Sequence, residues 1–135
     1  MEDVTLYEIY ECMPEEYESV NSVLLSTEIE LELAIAQVNP NMKRLYDWCV
    51  STNKVIIIIS DMYLPFETVD AILSKCGYKG YKNVYLSSNE RKKKSTGELF
   101  KKVLCDNNIQ GNKIIHIGDS WKSDYFQAKK MALWQ

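Results

Sequence analysis

Apolar positions change their spacing once along this chain, close to residue 54. Before it they recur at helical intervals; after it, short continuous apolar runs alternate with helical stretches. Thr5-Leu6-Tyr7-Glu8 sets a hydroxyl residue three positions before a glutamate, a capping box that predicts a helix starting there and ended by Pro14. Helices over 15–25 and 27–38 follow, the second stopped by Asn39-Pro40, and a fourth covers 42–50. The third also alternates like a strand, with Ile29, Leu31, Leu33 and Ile35 between Glu30, Glu32, Ala34 and Ala36. Glu and Ala favour a helix, and Leu31, Ala34, Ile35 and Val38 make a helical stripe.

From Lys54 onward the order becomes strand, helix, strand, helix, strand, helix, the signature of βαβ units and a parallel sheet. The predicted strands are 55–60, 83–86 and 113–117, and the helices 66–76, 96–105 and 123–131. Gly77 and Asn107-Asn108 mark helix ends. A division follows: a helical segment over 1–52 and an α/β core over 53–135.

Composition narrows the class. A chain of 135 residues suits one compact core with a small helical attachment and cannot hold two full domains. The net charge of -3 speaks against nucleic acid as partner. The longest apolar run, 55–59, is far short of the roughly 20 residues a membrane span needs, and the acidic start is unlike a signal peptide. The expectation is a cytoplasmic protein with no membrane partner. Cys12, Cys49, Cys76 and Cys105 include no close pair and the chain has one histidine, which disfavours zinc; reduced, mostly buried thiols are expected.

In open parallel sheets, ligands sit outside the carboxyl ends of the strands, so residues just after each apolar run carry the information. The first run ends in Ser60-Asp61, and the third in Gly118-Asp119-Ser120 with Asp124 five positions after Asp119. Lys94 precedes a helix between them. A hydroxyl, an ammonium and paired carboxylates at one sheet edge are what a phosphoryl site with a bound divalent ion requires. The carboxylates would hold Mg²⁺, a hard cation that prefers oxygen; Ser60 and Lys94 would bind phosphoryl oxygens; Gly118 would let the backbone come close.

These residues resemble the haloacid dehalogenase superfamily. The run 55–65, ending in Ser60-Asp61-Met62-Tyr63-Leu64-Pro65, is similar to its second motif. Lys94-Ser95-Thr96-Gly97 resembles the third, with the phosphate-neutralising lysine, and His116-Ile117-Gly118-Asp119-Ser120 with Asp124 the fourth, which binds metal. The likeness covers 54–133 in the family's motif order and is nearest to a bacterial branch associated with glycosyltransferases. It implies a Rossmann-like core with a small α-helical cap over the N-terminal segment, Mg²⁺ as cofactor, and a phosphorylated small molecule such as a sugar phosphate as substrate. On this resemblance Ser60 and Lys94 are the catalytic candidates, Ser60, Asp61 and Lys94 bind phosphate, and Asp119 and Asp124 bind metal.

The family's first motif, a strand ending in Asp-x-Asp, supplies the nucleophile and is missing: no two aspartates stand two positions apart. The expectation is that the missing piece precedes this chain, and that the chain alone is inactive. The absent strand would lie between 55–60 and 113–117, so these must pair directly, leave a slot, or self-associate through the gap. The alternative is a non-catalytic relic or interaction module with the same fold.

Each residue also has a bland reading. Ser60 suits a strand end and Asp61 a turn or cap; Lys94 belongs to the basic run Arg91-Lys92-Lys93-Lys94, commonly a solvated face; Asp124 suits a helix N-cap. His116 reads as a packed strand residue and stays outside the site.

Overall fold

The computed structural model describes residues 2–131. It is a mixed α/β arrangement with a small parallel sheet. Helices α1 (Leu6–Glu11), α2 (Asn21–Ile35) and α3 (Pro40–Ser51) come first, then β1 (Ile57–Ser60), α4 (Phe66–Lys75), β2 (Asn83–Leu86), α5 (Ser87–Glu90), α6 (Glu98–Asn107) and α7 (Ala128–Lys130). Among the described residues, no helix is long and apolar enough to cross a membrane.

The capping box at the start of α1 forms as expected: Glu8 N–H donates to Thr5 Oγ1 at 3.3 Å, and Thr5 N–H to Glu8 Oε2 at 2.7 Å. The two helices expected over 15–25 and 27–38 are instead a 3₁₀ turn, Glu15–Tyr17, and the single helix α2. Ser26 and Thr27 do not cap a new helix, because both hydroxyls donate back to Val23 O, at 3.0 and 2.7 Å, and the helix runs through them. The strand-like alternation at 29–35 is therefore helical. α3 starts at Pro40, two residues earlier than predicted, since Asn39 Oδ1 accepts from the N–H groups of Asn41 and Met42 and Pro40 fits the first turn.

β1 and β2 pair in parallel with Ile57 opposite Asn83 and Ser60 opposite Leu86. β1 is shorter than the predicted 55–60, and Val55 is exposed. The third predicted strand does not form. Residues Gly111–Lys113 make a 3₁₀ turn, and Ile115 makes one isolated bridge; the sheet has two strands among the described residues. A strand is stable only when its N–H and C=O groups meet a neighbour over several residues, and 113–117 has no such partner. Nor is β1 buried on both faces: each of its residues is half-buried.

Helix boundaries follow glycine and asparagine. Gly77 and Asn108, at φ of +77° and +50°, end α4 and α6 in the left-handed conformation. The helix expected from 96 begins only at Glu98, because Gly97 has φ +87° and closes a turn on Lys94 O at 2.9 Å. The helix predicted over 123–131 is a π-helical turn, Trp121–Gln127, followed by α7; expectations for 132–135 lie outside the described residues.

The core lies between the sheet and its helices. Leu64, Val69 and Leu86 form one cluster; Tyr85, Leu99 and Val103 a second; Phe100 and Ala128 a third. Leu6 of α1 belongs to the first cluster, with Leu25 and Ile29 of α2 packed against it, so α1 and α2 share the core of the α/β part. The cysteines are free but less buried than predicted: Cys12 and Cys105 are exposed, Cys49 and Cys76 partly buried. On α6 the buried stripe is Leu99, Phe100 and Val103, and Cys105, two positions on, falls on the opposite side.

Candidate functional site at the carboxyl end of the sheet

Each site residue follows an element that places it. Ser60 is the last residue of β1, and Asp61 begins the loop after it. That loop is fastened to the neighbouring strand end: Met62 N–H donates at 2.9 Å to the hydroxyl of Ser87, a fully buried residue just after β2. Lys94 stands in the turn between α5 and α6, and Asp124 in the π-helical turn near the end of the chain.

Asp61, Lys94 and Asp124 are brought into direct contact. Lys94 uses both ends: its backbone N–H donates to Asp61 Oδ1 at 2.9 Å, and its Nζ lies 2.6 Å from Asp124 Oδ1. The first contact is exposed, whereas the second is nearly closed to solvent, with side-chain exposures of 13% for Lys94 and 3% for Asp124. Gln127 Nε2 adds a hydrogen bond to Ser95 O, tying the π-helical turn to the lysine turn.

Asp124 is saturated. His116 Nε2 is 3.0 Å from Oδ1, and the Ser120 N–H donates to Oδ2 at 3.1 Å. Burial pushes the Asp124 carboxyl up, but the hydrogen bonds from Lys94, His116 and the Ser120 N–H outweigh it and leave the group below the ordinary carboxylate range. Gly118 is required by this packing, since a Cβ there would stand 2.4 Å from Asp124 Cγ. Asp119, by contrast, is exposed.

His116 is the residue that sequence reasoning left out. Its ring is nearly buried and stacks edge-on against Phe100 with centroids 4.9 Å apart, while its neighbours Ile115 and Ile117 are 69% and 51% exposed. The segment thus turns its polar side chain inward and its apolar ones outward. A signal for this existed only in the pairing of one histidine with an aspartate eight positions later, which many chains contain by chance.

Of the two expected metal ligands Asp119 is exposed and Asp124 nearly buried, and the described residues contain no cluster of three or more His, Cys, Asp or Glu side chains suited to a metal. Mg²⁺ keeps several of its waters and takes few protein ligands. Only Asp119 is open; Asp124 would have to share its oxygens with Lys94 and His116. A shallow hollow of about 370 Å³ lies elsewhere, before β1, between Val55, Ile56 and Lys82.

Lys94 is engaged at one end by Asp61 and at the other by Asp124, and Ser60 stands next to Asp61 at the end of β1. Among Asp61, Asp119 and Asp124 no two stand two positions apart. The sequence matches no protein-family model, and no curated protein is similar to it at a significant level.

Proposed function

We propose that this chain is a phosphohydrolase-like domain of the haloacid dehalogenase superfamily, a Rossmann-like core with a helical cap, which binds a phosphorylated small molecule such as a sugar phosphate without hydrolysing it. The observation that carries the reading is the chain of hydrogen bonds from Asp61 through Lys94 to Asp124: residues from three resembling motifs, 33 and 30 positions apart, meet at the carboxyl end of a parallel sheet. In this reading the Ser60 hydroxyl donates to one phosphoryl oxygen and Lys94 neutralises the others. Asp119, with Asp124, would hold Mg²⁺, which when bound supplies further neutralisation of phosphoryl charge. Positioning and charge stabilisation are present, but the covalent step lacks its aspartate.

A second reading, a non-catalytic interaction module, draws on the exposed apolar side chains Ile115, Ile117 and Trp121 and on the half-buried β1. It expects self-association through the sheet, which sedimentation velocity would detect as a dimer at micromolar concentration.

Incubation of the chain with an aryl phosphate and Mg²⁺ tests the first reading together with inorganic phosphate titration followed by amide NMR. The expected result is no turnover above background, with phosphate-dependent shifts at Ser60, Asp61 and Lys94 that Lys94→Ala removes. Turnover that a chelator abolishes would overturn the lack of catalysis. Absence of phosphate-dependent shifts would overturn the phosphate site and leave the interaction module.

A further inference from the structure

The lysine that would neutralise phosphate sits on a turn fastened by distant groups as well as by its own bonds. Residues 91–97 connect α5 to α6 with left-handed backbone at both ends, Arg91 at φ +55° and Gly97 at φ +87°. Arg91 is not a glycine, and such a conformation persists only where surrounding contacts enforce it. Within the turn, Gly97 N–H donates to Lys94 O. The remaining restraints come from outside.

Six of them come from one short segment some 90 positions earlier in the chain. Glu2 Oε2 accepts from the Lys93 N–H at 2.9 Å and from the Thr96 hydroxyl at 2.8 Å, one on each side of Lys94. Glu8 Oε2 is 2.6 Å from Arg91 Nη1, which also donates to Asp3 O at 3.1 Å, and Asp3 Oδ1 lies 3.4 Å from Lys93 Nζ. The Glu2 N–H closes the set on Arg91 O at 3.3 Å. Glu2, Asp3 and Glu8 therefore grip Arg91, Lys93 and Thr96, while Lys94 between them turns its ammonium to Asp124.

The grip is anchored. Glu8 is also the third residue of α1 and closes its capping box, and Leu6 two positions before it is buried in the core and donates its N–H to Tyr63 O in the loop after β1 at 2.8 Å. Both glutamates are strengthened as anions: the Lys93 N–H and then Thr96 lower the Glu2 carboxyl, and Arg91, followed by Thr5, brings Glu8 to about 2.

We propose that residues 2–8 form an acidic strap whose Glu2 and Glu8 are positioning residues for Lys94, setting the 91–97 turn so that the lysine can meet a phosphate-type anion. The inference rests on the reading of Lys94 as the phosphate-binding lysine and extends it to what positions that lysine. Glu8 reaches the turn from α1, which is fixed to the core through Leu6.

The test is titration of the full chain with inorganic phosphate, followed by amide NMR, for the wild type and for Lys94→Ala, Glu2→Gln, Glu8→Gln and the double variant Glu2→Gln/Lys94→Ala. Melting temperature is recorded for each. Glu2→Gln and Glu8→Gln are expected to weaken phosphate binding roughly threefold to tenfold, as the removal of one charge-assisted hydrogen bond would. The double variant is expected to bind no more weakly than Lys94→Ala alone, because the strap acts through the lysine. Glu2 is partly buried, and glutamine keeps its shape and an acceptor oxygen, so the melting temperature recorded for Glu2→Gln separates an effect on affinity from one on folding.

Wild-type affinity in both glutamine variants would overturn the strap while leaving Lys94 in place. A weakening by Glu2→Gln that is equally large in the Lys94→Ala background would overturn it too, by showing that Glu2 acts on the anion directly. Unchanged binding in Lys94→Ala removes the lysine reading itself, and the strap with it.

Discussion

Two apolar regions of the α/β part, one around α6 and the other over residues 113–126, reach different ends. In the first, Leu86 of β2 and Leu99, Phe100 and Val103 of α6 are completely or almost completely buried, and the helices and strands predicted there form close to their predicted bounds. In the second, the predicted strand is replaced by a turn and an isolated bridge, with Ile115, Ile117 and Trp121 largely exposed. Trp121 instead stacks on Tyr125 and Phe126, with ring centroids 4.8 and 6.1 Å away. Both regions are rich in large apolar side chains. What separates them is the supply of partners: burial is cooperative, and a strand without a neighbour over several residues gains neither hydrogen bonds nor covered area.

The largest effect expected from this contrast is on stability. Phe100→Ala removes a fully buried ring and should cost about 3–5 kcal/mol in urea denaturation, whereas Ile117→Ala should cost well under about 1 kcal/mol. Comparable losses for both would mean that the 113–126 region is covered in solution, by a second copy or by another segment.

A smaller effect separates Asp119 from Asp124. Asp124→Ala leaves Lys94 and His116 without their shared acceptor in a nearly buried place and should cost about 3 kcal/mol. Asp119→Ala, at an exposed position, should stay within about 0.5 kcal/mol of the wild type. Gly118→Ala forces Asp124 to move and should fall between them, at about 1–3 kcal/mol. If Asp119→Ala proved as costly as Asp124→Ala in the same denaturation series, the exposed placement of Asp119 would be incorrect.

The smallest effect is on the acid limb of the stability curve. Glu8 has its folded pKa brought down from 4.5 to about 2 by Arg91 and Thr5, so its contribution is complete above the unfolded value and is lost as pH falls from about 4.5 to about 2. Asp124, also lowered, adds to the same trend. Glu8→Gln should flatten this part of the curve and leave stability between pH 6 and 8 little altered in slope. An unchanged acid limb in Glu8→Gln would show that the ion pair with Arg91 does not persist in solution.

Local chemistry by itself determined the capping box at Thr5, the start of α3 near Asn39-Pro40, the left-handed ends at Gly77 and Asn108, and the two strands 57–60 and 83–86 with their parallel pairing. These depend on contacts a few residues apart or on apolar runs long enough to declare themselves. Ser60 and Asp61 were legible as candidates because they close an apolar strand run, whereas Lys94 and Asp124 were picked out on motif resemblance, the strand read before Asp124 not forming. Only the tertiary structure decided that 113–117 is not a strand, that His116 faces Asp124 while Ile115 and Ile117 face out, and that Glu2 and Glu8 hold the lysine turn. Each of those outcomes depends on which distant group supplies a partner, and a hydrogen bond across some 90 residues leaves no trace in the spacing of either end.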